Sequence, residues 1–532
     1  FMDSVLNIFL FLIFMWLVIT ALYIILTYYQ KYRAAQRIRS LWDARAKSES
    51  FIRPNQHYRY QYDTYHQQNE HTLDDKTWSD LNLDDVFQQL NYNFTAIGEM
   101  RLYATLRGMF KVNNQSLINK FKNHKTFRQS VSVHLSQIGK TIYPMFPDQI
   151  KPIKMQNIYY LCPLLPIIGL ILVPILKGPG LLILLFTIVL NIFLSGKLSK
   201  HYSEYINATF YSVNVIKKAE RIHQLEQAPE LDVNFKHFAK AKRFSPLLGK
   251  VSPDNEGGAM AEFIKLAFML DYVIFNSVQN TFTKHQDELM ACYDYVSEID
   301  NHYAIALWQE TLESYTHPEV TQQPELEFNA LVHPLLETPV LNDLNIQRNI
   351  LLTGSNASGK STFMKAVALN LVLAQTVDTA LATQFKYKPG MILTSMANQD
   401  DVLSGDSYFI AELKSILRLM DQTDTYCYCF IDEIFKGTNT TERIAASESV
   451  LNYLAEHPEY RIIAATHDIE LSQLLEQDFA NYHFNETIKD DEIYFDYKIK
   501  PGKADTRNAI ELLRLMHFPD AVYQNALKNT KK

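Results

Sequence analysis

The fold is decided by the octapeptide Gly354-Ser355-Asn356-Ala357-Ser358-Gly359-Lys360-Ser361, which stands between a strand-like apolar run at 350–352 and a helix-like run at 362–373. It matches the G-x-x-x-x-G-K-[ST] phosphate-binding loop, whose glycines let backbone N–H groups turn toward a β-phosphate. We expect Lys360 to reach the β- and γ-phosphates and Ser361 to bind Mg²⁺. The N-terminus of the following helix adds a positive dipole. The predicted nucleotide-binding residues of this stretch are Gly354, Ser355, Asn356, Ala357, Ser358, Gly359, Lys360, Ser361 and Thr362.

A second apolar run, at 426–431, ends in the two acidic residues Asp432 and Glu433. Its composition is typical of a buried parallel strand. We expect Asp432, at the carboxyl end of this strand, to hold Mg²⁺ through water, and Glu433 to orient or deprotonate the attacking water. The two sites together predict an ATP hydrolase of the P-loop class, with Lys360 and Glu433 among its catalytic residues.

Composition limits the remaining choices. The 532 residues are enough for about three or four domains. A net charge of −7 shows that the whole chain is not an electrostatic magnet for nucleic acid, although a local basic patch is compatible with it. The four cysteines show no disulfide or zinc spacing, which suits a reducing compartment. Cys427 and Cys429 are interpreted as small core residues rather than a metal pair.

An uncharged apolar run at 5–29 is long enough to span a bilayer. Lys31, Arg33, Arg37 and Arg39 follow it, so the positive-inside bias places the rest of the chain in the cytoplasm. A cleaved signal peptide is the rival interpretation, but the basic n-region and the small-residue cleavage site are lacking. The sequence therefore predicts a membrane protein with a cytoplasmic ATPase domain.

A second apolar block, at 158–195, is interrupted by the turn residues Lys177-Gly178-Pro179-Gly180. It predicts a transmembrane hairpin with arms at 158–176 and 181–195, both ends of which are cytoplasmic because lysines flank them. Two features weaken this interpretation, namely the prolines of the first arm and the shortness of the second. A re-entrant or interfacial hairpin and a buried soluble hairpin remain as alternatives.

The pieces between these segments have mainly helical patterns. Residues 80–146 contain helix-like apolar spacing, and 202–322 are again mostly helical in pattern. Residues 48–79 have no sustained period and are interpreted as a linker or a loosely packed loop. Lys236, Lys240, Lys242 and Arg243 form a basic cluster. A solvated helix face is the favoured interpretation of this cluster, with a phosphate-binding patch as the alternative.

Residues 325–526 resemble the ATPase domain of the MutS mismatch-repair family through several motifs in the same order. These are the phosphate loop at 353–362, a signature segment at 400–409 with Glu412, the acidic segment at 432–440, the switch histidine in 465–468, and the shorter steps His333-Pro334 and Lys500-Pro501-Gly502. The helical start at 80–107 resembles the family's core more weakly. The resemblance implies an ABC-type, MutS-like α/β domain that uses ATP and Mg²⁺.

The resemblance also implies a homodimer in which each signature segment completes the nucleotide site of the other copy. Ser404 and Ser407 offer hydroxyl and N–H groups to a γ-phosphate, and His467 is expected to sense that phosphate or the attacking water. Asp406 departs from the family, which often has arginine there, so the trans site is less positive than usual. In the family, the nucleotide cycle moves helical levers that grip DNA.

Four departures shape the expected function. Membrane and linker sequence precedes the core where the family has its mismatch-reading domain, and little chain follows Ala526. The Phe-x-Glu step, Phe484-Asn485-Glu486, lies beyond the switch histidine, so it is not the family's base wedge. The hairpin also takes up much of the helical core. Any DNA binding is therefore expected not to be mismatch-selective.

The predicted domains are a transmembrane helix at 1–30, a linker at 31–79, a helical core at 80–157, the hairpin at 158–195, a core and lever at 196–322, and the MutS-like ATPase domain at 323–532. The expected function is a membrane-anchored ATPase, related to mismatch-repair or recombination proteins, that couples ATP hydrolysis in a dimer to lever movement. The alternatives are a transport or membrane-partner ATPase that does not act on DNA, and a non-enzymatic ATP-binding scaffold. An LSGGQ-like signature is absent, which disfavours the transporter, and Glu433 disfavours the scaffold.

Overall fold

A computed structural model describes residues 2–47, 73–141, 146–147, 156–244, 256–355, 358–396, 408–421, 425–435, 438–489, 492–504 and 509–529. They belong to two compact units. The helical unit comprises Phe1–Tyr60, Asn91–Arg101 and Asn114–Glu310, and the sheet unit comprises Gln61–Leu90, Leu102–Asn113 and Thr311–Lys532.

The α-helices are, in chain order, α1 Met2–Ser40, α2 Asp75–Asp80, α3 Leu83–Leu90, α4 Ala96–Leu106, α5 Gln115–Asn123, α6 Lys125–Ile138, α7 Leu164–Leu176, α8 Gly178–His223, α9 Ala239–Phe244, α10 Glu256–Phe268, α11 Leu270–Lys284, α12 Gln286–Thr311, α13 Lys360–Val377, α14 Tyr408–Met420, α15 Thr440–Ala455, α16 Leu471–Leu474, α17 Ala509–Leu515 and α18 Asp520–Asn529. The strands are β1 Glu319–Val320, β2 Leu326–Leu331, β3 Asn342–Ile346, β4 Asn349–Thr353, β5 Gln384–Tyr387, β6 Met391–Ser395, β7 Cys427–Asp432, β8 Tyr460–Ala465, β9 Phe479–His483, β10 Glu486–Lys489, β11 Glu492–Phe495 and β12 Lys500–Pro501.

The longest helix of the helical unit is α8, with 46 residues. At 1.5 Å per residue it is about 70 Å long. Its apolar first part packs antiparallel against the apolar α7 as a hairpin with a tight turn at Lys177. Farther along, Ile206, Tyr211, Val215 and Ala219 are buried at intervals of four or five residues, so this part of α8 belongs to the helical core. One continuous helix thus joins the apolar hairpin to the core.

A buried polar contact fixes the position of the hairpin. The Asn191 side chain, on α8, is fully buried, and its Nδ2 donates to the carbonyls of Cys162 at 2.8 Å and Ala267 at 2.7 Å. Ala267 lies near the end of α10, so the hairpin is held against α10 at the level of Asn191. Among the helices whose side chains the structure describes, α8 is the one long and apolar enough to cross a membrane.

A buried carboxylate closes the helical core. Asp300, on α12, is fully buried and accepts hydrogen bonds from the backbone N–H groups of Phe94 at 3.0 Å and Thr95 at 2.8 Å, and from Thr95 Oγ1 at 2.7 Å. Burial raises the pKa of Asp300 to about 6. This carboxylate therefore ties the segment before α4 to α12.

The sheet unit contains a six-stranded sheet in the order β12-β9-β4-β8-β7-β6. All its pairings are parallel except that of β12 with β9. Strands β4, β7 and β8 are buried almost throughout, as their continuous apolar sequences require. Cys427 and Cys429 are free and lie in this core, as expected. The carboxyl ends of β4, β7 and β8 therefore lie along one edge, where an α/β sheet binds ligands.

Two further sheets complete the unit: a four-stranded sheet in the order β1-β5-β2-β3, and the antiparallel hairpin β10–β11.

The structure divides the chain differently from the predicted boundaries. Residues 61–90 and 102–113, predicted as linker and helical core, group with the C-terminal sheet unit. The reason is polar contact: the carboxylate of Asp80 accepts from Thr394 Oγ1 at 2.7 Å and from the Met396 N–H at 3.1 Å. The stretch 75–79, predicted as linker, is helical as part of α2, and Asp74 caps this helix by accepting from the Thr77 N–H at 2.8 Å.

Candidate nucleotide-binding site

The phosphate loop leaves β4 at Thr353, and α13 begins at Lys360. Gly354 has φ +141° and Gly359 has φ +102°, so both adopt backbone conformations that favour glycine. A Cβ at Gly354 would lie 2.7 Å from the Phe484 carbonyl oxygen, and one at Gly359 would lie 2.9 Å from the Tyr497 ring. Any other residue at either position would have a strained backbone and a Cβ that clashes with these atoms. Asn356 and Ala357 lie outside the described residues.

The Lys360 amine lies within the loop. Its Nζ donates to the carbonyls of Gly354 at 2.7 Å and Ser355 at 2.8 Å, and the residue is nearly fully buried. Ser355 Oγ donates in turn to the Glu486 carboxylate at 2.9 Å. The loop thus holds a buried positive charge at the start of an 18-residue helix.

Ser361 and Asp432, the two predicted metal-binding residues, meet. The Ser361 hydroxyl donates to Asp432 Oδ2 at 2.5 Å, although 71 residues separate them in the chain. The contact arises because α13 begins beside the carboxyl end of β7. A hydroxyl and a carboxylate oxygen at one point are hard oxygen donors of the kind that Mg²⁺ prefers. The residues present therefore fit Mg²⁺ beside a bound triphosphate.

Glu433 and His467 lie next to this pair. Glu433 has φ +58°, uncommon for a residue with a side chain, and its N–H donates to the Ala465 carbonyl at 2.9 Å. His467 Nδ1 is 3.6 Å from Glu433 Oε1. The Glu433 carboxylate raises the pKa of His467 above its ordinary value, with a smaller contribution from Asp468. The structure brings the predicted base and the predicted switch histidine together.

Sequence reasoning missed the residue that holds the switch segment. Arg443, on α15, binds Asp468 with two hydrogen bonds, from Nε at 2.8 Å and from Nη2 at 2.7 Å. The Asp468 N–H also donates to Thr466 Oγ1 at 3.0 Å. Asp468 follows His467 directly, so this largely buried ion pair fixes the backbone that carries the histidine. Nothing in the sequence pairs Arg443 with Asp468.

A cleft of about 250 Å³ opens beside the loop. Its apolar lining includes Leu336, Val340 and Phe363, and Tyr497 and His333 lie at its walls. Burial, with the charge of Lys365, lowers the pKa of His333 to about 4, so its ring is neutral at pH 7. His333 Nδ1 accepts from the Leu335 N–H at 3.2 Å, which leaves Nε2 to carry the proton. The cleft combines an apolar slot, an aromatic ring and a polar edge, a lining typical of small-molecule and cofactor sites.

Of the two cleft residues His333 and Tyr497, His333 was noticed in the sequence only as part of the His333-Pro334 step, and Tyr497 was not singled out. The signature residues Ser404 and Ser407, together with Asp406, lie outside the described residues. Thr362 is in the first turn of α13 and lines the cleft. Phe484, of the Phe-x-Glu step, is buried with its ring 5.6 Å from that of Phe363, which agrees with the expectation that it is no base wedge.

The parallel sheet, the phosphate loop and the acidic strand end define a P-loop domain of the ATPase type. Residues 350–532 match the model of MutS domain V. The DNA mismatch repair protein MutS of Acetivibrio thermocellus is 31% identical over 276 residues, which are 49% of this chain and 32% of that protein. The DNA mismatch repair protein MutS of Fusobacterium nucleatum is 30% identical over 279 residues, 49% of this chain and 31% of that protein.

The DNA mismatch repair protein MutS of Caldanaerobacter subterraneus is 26% identical over 314 residues, which are 57% of this chain and 35% of that protein. Residues 350–532 therefore form a MutS-family domain, as the motifs of this part of the chain predicted. It spans about a third of the length of the curated relatives it matches.

Proposed function

We propose that the protein is a Mg²⁺-dependent ATP hydrolase whose turnover depends on Glu433. The meeting of Ser361 and Asp432 at 2.5 Å, beside the buried amine of Lys360, carries this proposal. It supplies a metal-binding pair and a phosphate-binding charge at one edge of the sheet. Family membership supports it, because MutS proteins are ATPases.

Each side chain has a defined task in this proposal. Lys360 and the N–H groups of the loop bind the phosphates, and the cleft beside Phe363 and Tyr497 takes the adenine base. A Mg²⁺ ion at Ser361 and Asp432 would neutralise charge on the phosphate oxygens. Glu433 orients the attacking water and accepts its proton, and His467, held through Asp468, lies where it can donate to the γ-phosphate.

The test is the ATPase rate of the detergent-solubilised protein. Glu433→Gln should bind ATP with nearly wild-type affinity but hydrolyse it about 10²–10⁴ times more slowly, because a carboxamide does not accept the proton. Glu476→Gln, which changes an exposed carboxylate paired with Lys503, should keep the wild-type rate. Wild-type turnover by Glu433→Gln would refute the assignment.

We further propose that two copies act together and that the nucleotide cycle moves the helical unit. The resemblance of the segment around Ser404 and Ser407 to the MutS signature supports the dimer. A ligand that binds the closed arrangement more tightly shifts the population toward it. Helix α8 is the natural lever, since it runs without interruption from the core into the apolar hairpin.

The same proposal places the protein at the cell membrane with its ATPase domain in the cytoplasm. The apolar run at 5–29, the exposed apolar side chains of the hairpin and the flanking lysines and arginines support this. Leu170, Ile171, Leu182, Phe186 and Phe193 are each more than half exposed. Side chains of this kind cost free energy in water, and lipid would cover them.

DNA is the first candidate for the molecule that the lever helices move, because the relatives are DNA mismatch repair proteins. Lys236, Lys240 and Arg243 are exposed, whereas Lys242 is bound to Glu220 at 2.8 Å. We expect these side chains to contact phosphates, so DNA binding should depend on salt and not on mismatches. The continuous α8 favours a second candidate, a membrane partner moved by the hairpin.

Measuring the ATPase rate with single-stranded, duplex, mismatched and branched DNA separates these candidates. An ATPase rate that DNA raises, equally for a homoduplex and a G·T mismatch, supports action on DNA. A rate that no DNA changes, in protein that hydrolyses ATP, supports the membrane partner.

A further inference from the structure

Three side chains with metal-binding chemistry meet in the helical unit, in residues that the nucleotide cycle does not use. His237 lies in the turn before α9, His285 lies between α11 and α12, and Glu288 is in the first turn of α12. Each offers one ligand atom, and the three atoms lie within 4.8 Å of one another. The two histidines are 48 residues apart in sequence, so the tertiary fold creates the cluster.

Both imidazoles direct the same nitrogen to one carboxylate oxygen. His237 Nδ1 is 2.8 Å from Glu288 Oε2, and His285 Nδ1 is 3.4 Å from it. Ligands about 2.0–2.1 Å from a tetrahedral zinc ion are about 3.3 Å apart, so only small side-chain shifts would admit a metal. The two rings stack with centroids 4.0 Å apart, and small rotations about their side-chain bonds would turn both nitrogens toward a common point.

The surroundings hold these rings in place. Asn234 Nδ2 lies 3.2 Å from His237 Nε2. With a metal bound at Nδ1, Nε2 carries a hydrogen, so the Asn234 amide would turn to offer its oxygen as the acceptor, as the outer partners of ligating histidines do. The ring of Phe238, which is fully buried, packs edge-on against His285 with centroids 6.1 Å apart. The C-terminal end of α11 and the N-terminal end of α12 meet at His285, so their dipoles oppose. Because the two dipoles offset each other, the negative charge of Glu288 sets the local potential, and this charge favours a bound cation.

We propose that His237, His285 and Glu288 form a site for a zinc-class transition-metal ion. Two imidazole nitrogens and one carboxylate are typical ligands of such ions, whereas Mg²⁺ and Ca²⁺ take oxygen ligands. Three protein ligands leave a fourth position open to water or to a further ligand. The metal would fasten the turn that carries Lys236 and His237 to the junction of α11 and α12.

Cys292, four residues after Glu288, does not extend the ligand set. Its sulfur is not among the ligand atoms that lie within 4.8 Å of one another. Burial, with the charges of Glu288 and Glu220, also raises the pKa of its thiol to about 12. The spectroscopic signature of the site is therefore that of nitrogen and oxygen ligands alone. This separates it from Cys427 and Cys429, whose Sγ atoms lie 3.7 Å apart in the sheet unit.

The experiment uses the full-length, chelator-treated protein in detergent, without nucleotide. Zn²⁺ is titrated against a chromogenic chelator, and Co²⁺ replaces it for visible absorption spectroscopy. We expect one high-affinity equivalent per chain, unaffected by millimolar Mg²⁺. We also expect a tetrahedral or five-coordinate Co²⁺ spectrum without a thiolate-to-cobalt charge-transfer band.

His237→Gln, His285→Gln and Glu288→Gln should each lower the affinity by at least about tenfold. His237 is more than a third exposed, so its variant keeps the fold and makes the test independent of stability. The matched control is His317→Gln, which changes a histidine 3.4 Å from the single carboxylate of Asp378 and should bind Zn²⁺ like the wild type.

Zn²⁺ should also raise the Tm of the wild type and of the control but not of the three variants. Absence of tight binding, a charge-transfer band from thiolate, or undiminished affinity in His237→Gln would overturn the proposal. Each of these results would leave the cluster as a hydrogen-bonded histidine–carboxylate group.

Discussion

Glu433 has the most informative residue-scale geometry in the site. Its position after a buried strand was readable from the sequence, whereas its role as the residue that orients the attacking water stays a prediction. Its φ of +58° was not readable from the sequence, because that conformation follows from the hydrogen bond to Ala465 on the neighbouring strand. A sequence predicts which groups an edge of the sheet carries, whereas the pairing of strands decides where each group points.

Arg443 provides a residue-scale prediction about positioning. Arg443→Gln should lower kcat roughly tenfold, equivalent to about 1.4 kcal/mol of transition-state stabilisation, with little change in ATP affinity. The reason is that Asp468 loses both hydrogen bonds and no longer fixes the segment that carries His467. Steady-state kinetics with a separate ATP-binding measurement checks it.

Arg443→Lys is the informative control, since it keeps the charge but cannot form the forked pair, and it should restore only part of the rate. A large loss of ATP affinity with unchanged kcat would contradict the positioning role.

Asp300 gives a prediction about stability and pH. Its pKa is about 6 in the folded protein and 3.8 in an unfolded chain, so between these values the folded state binds the extra proton. Its contribution to stability is therefore fully present below about pH 4 and is lost as pH rises through about 6, a change of about 3 kcal/mol. Asp300→Asn has no such titration.

The free energy of unfolding of the wild type, relative to Asp300→Asn, should thus fall as pH rises from about 4 to about 7. Urea titrations of both proteins at several pH values measure it. A difference that stays constant or grows with pH would show that Asp300 does not titrate in this range.

At the scale of elements, the lengths of the hairpin helices bear on the proposed attachment to the membrane. Helix α7 has 13 residues, so it is about 20 Å long, whereas the hydrocarbon core is about 30 Å thick. Asn191, bound to the Ala267 carbonyl of α10, limits the free part of α8 to a similar length. These lengths favour the re-entrant alternative over the predicted spanning hairpin.

A single cysteine introduced at Gly178, at the tip of the hairpin, tests this in a variant whose native cysteines are replaced. In intact cells and inverted vesicles alike, we expect slow labelling by a membrane-impermeant maleimide, because the tip lies in lipid. A cysteine at exposed Lys240 should be labelled rapidly from the cytoplasmic face only. Rapid labelling of Gly178→Cys from outside would contradict the re-entrant alternative and support the predicted spanning hairpin.

The sequence predicted the elements that carry the phosphate loop and the acidic strand end, and few of their neighbours. The strand–loop–helix around Lys360 and the strand before Asp432 follow from local pattern and flanking residues. The packing of α2 on the C-terminal unit did not, because it depends on Asp80 reaching Thr394 across more than 300 residues of chain. The cleft wall at Tyr497 was missed for the same reason, since a lone tyrosine carries no local signal.

At the scale of the whole molecule, we propose that two copies together make one working ATPase. The sheet unit holds Lys360, Ser361, Asp432, Glu433 and His467, and the signature serines are expected to reach the site of the other copy. Neither chain alone then has a complete site. The helical unit, with α8 and the hairpin, would transmit the change to DNA or to a membrane partner.

Mixing two inactive proteins tests this claim most directly. Lys360→Ala removes the phosphate-binding amine, and Ser407→Ala removes the group that acts on the other copy, so each protein alone should hydrolyse almost no ATP. A random equal mixture should recover about a quarter of the wild-type rate, because half of its dimers hold one intact composite site of two. No recovery in a preparation shown to contain mixed dimers, or full activity of Ser407→Ala alone, would contradict the account.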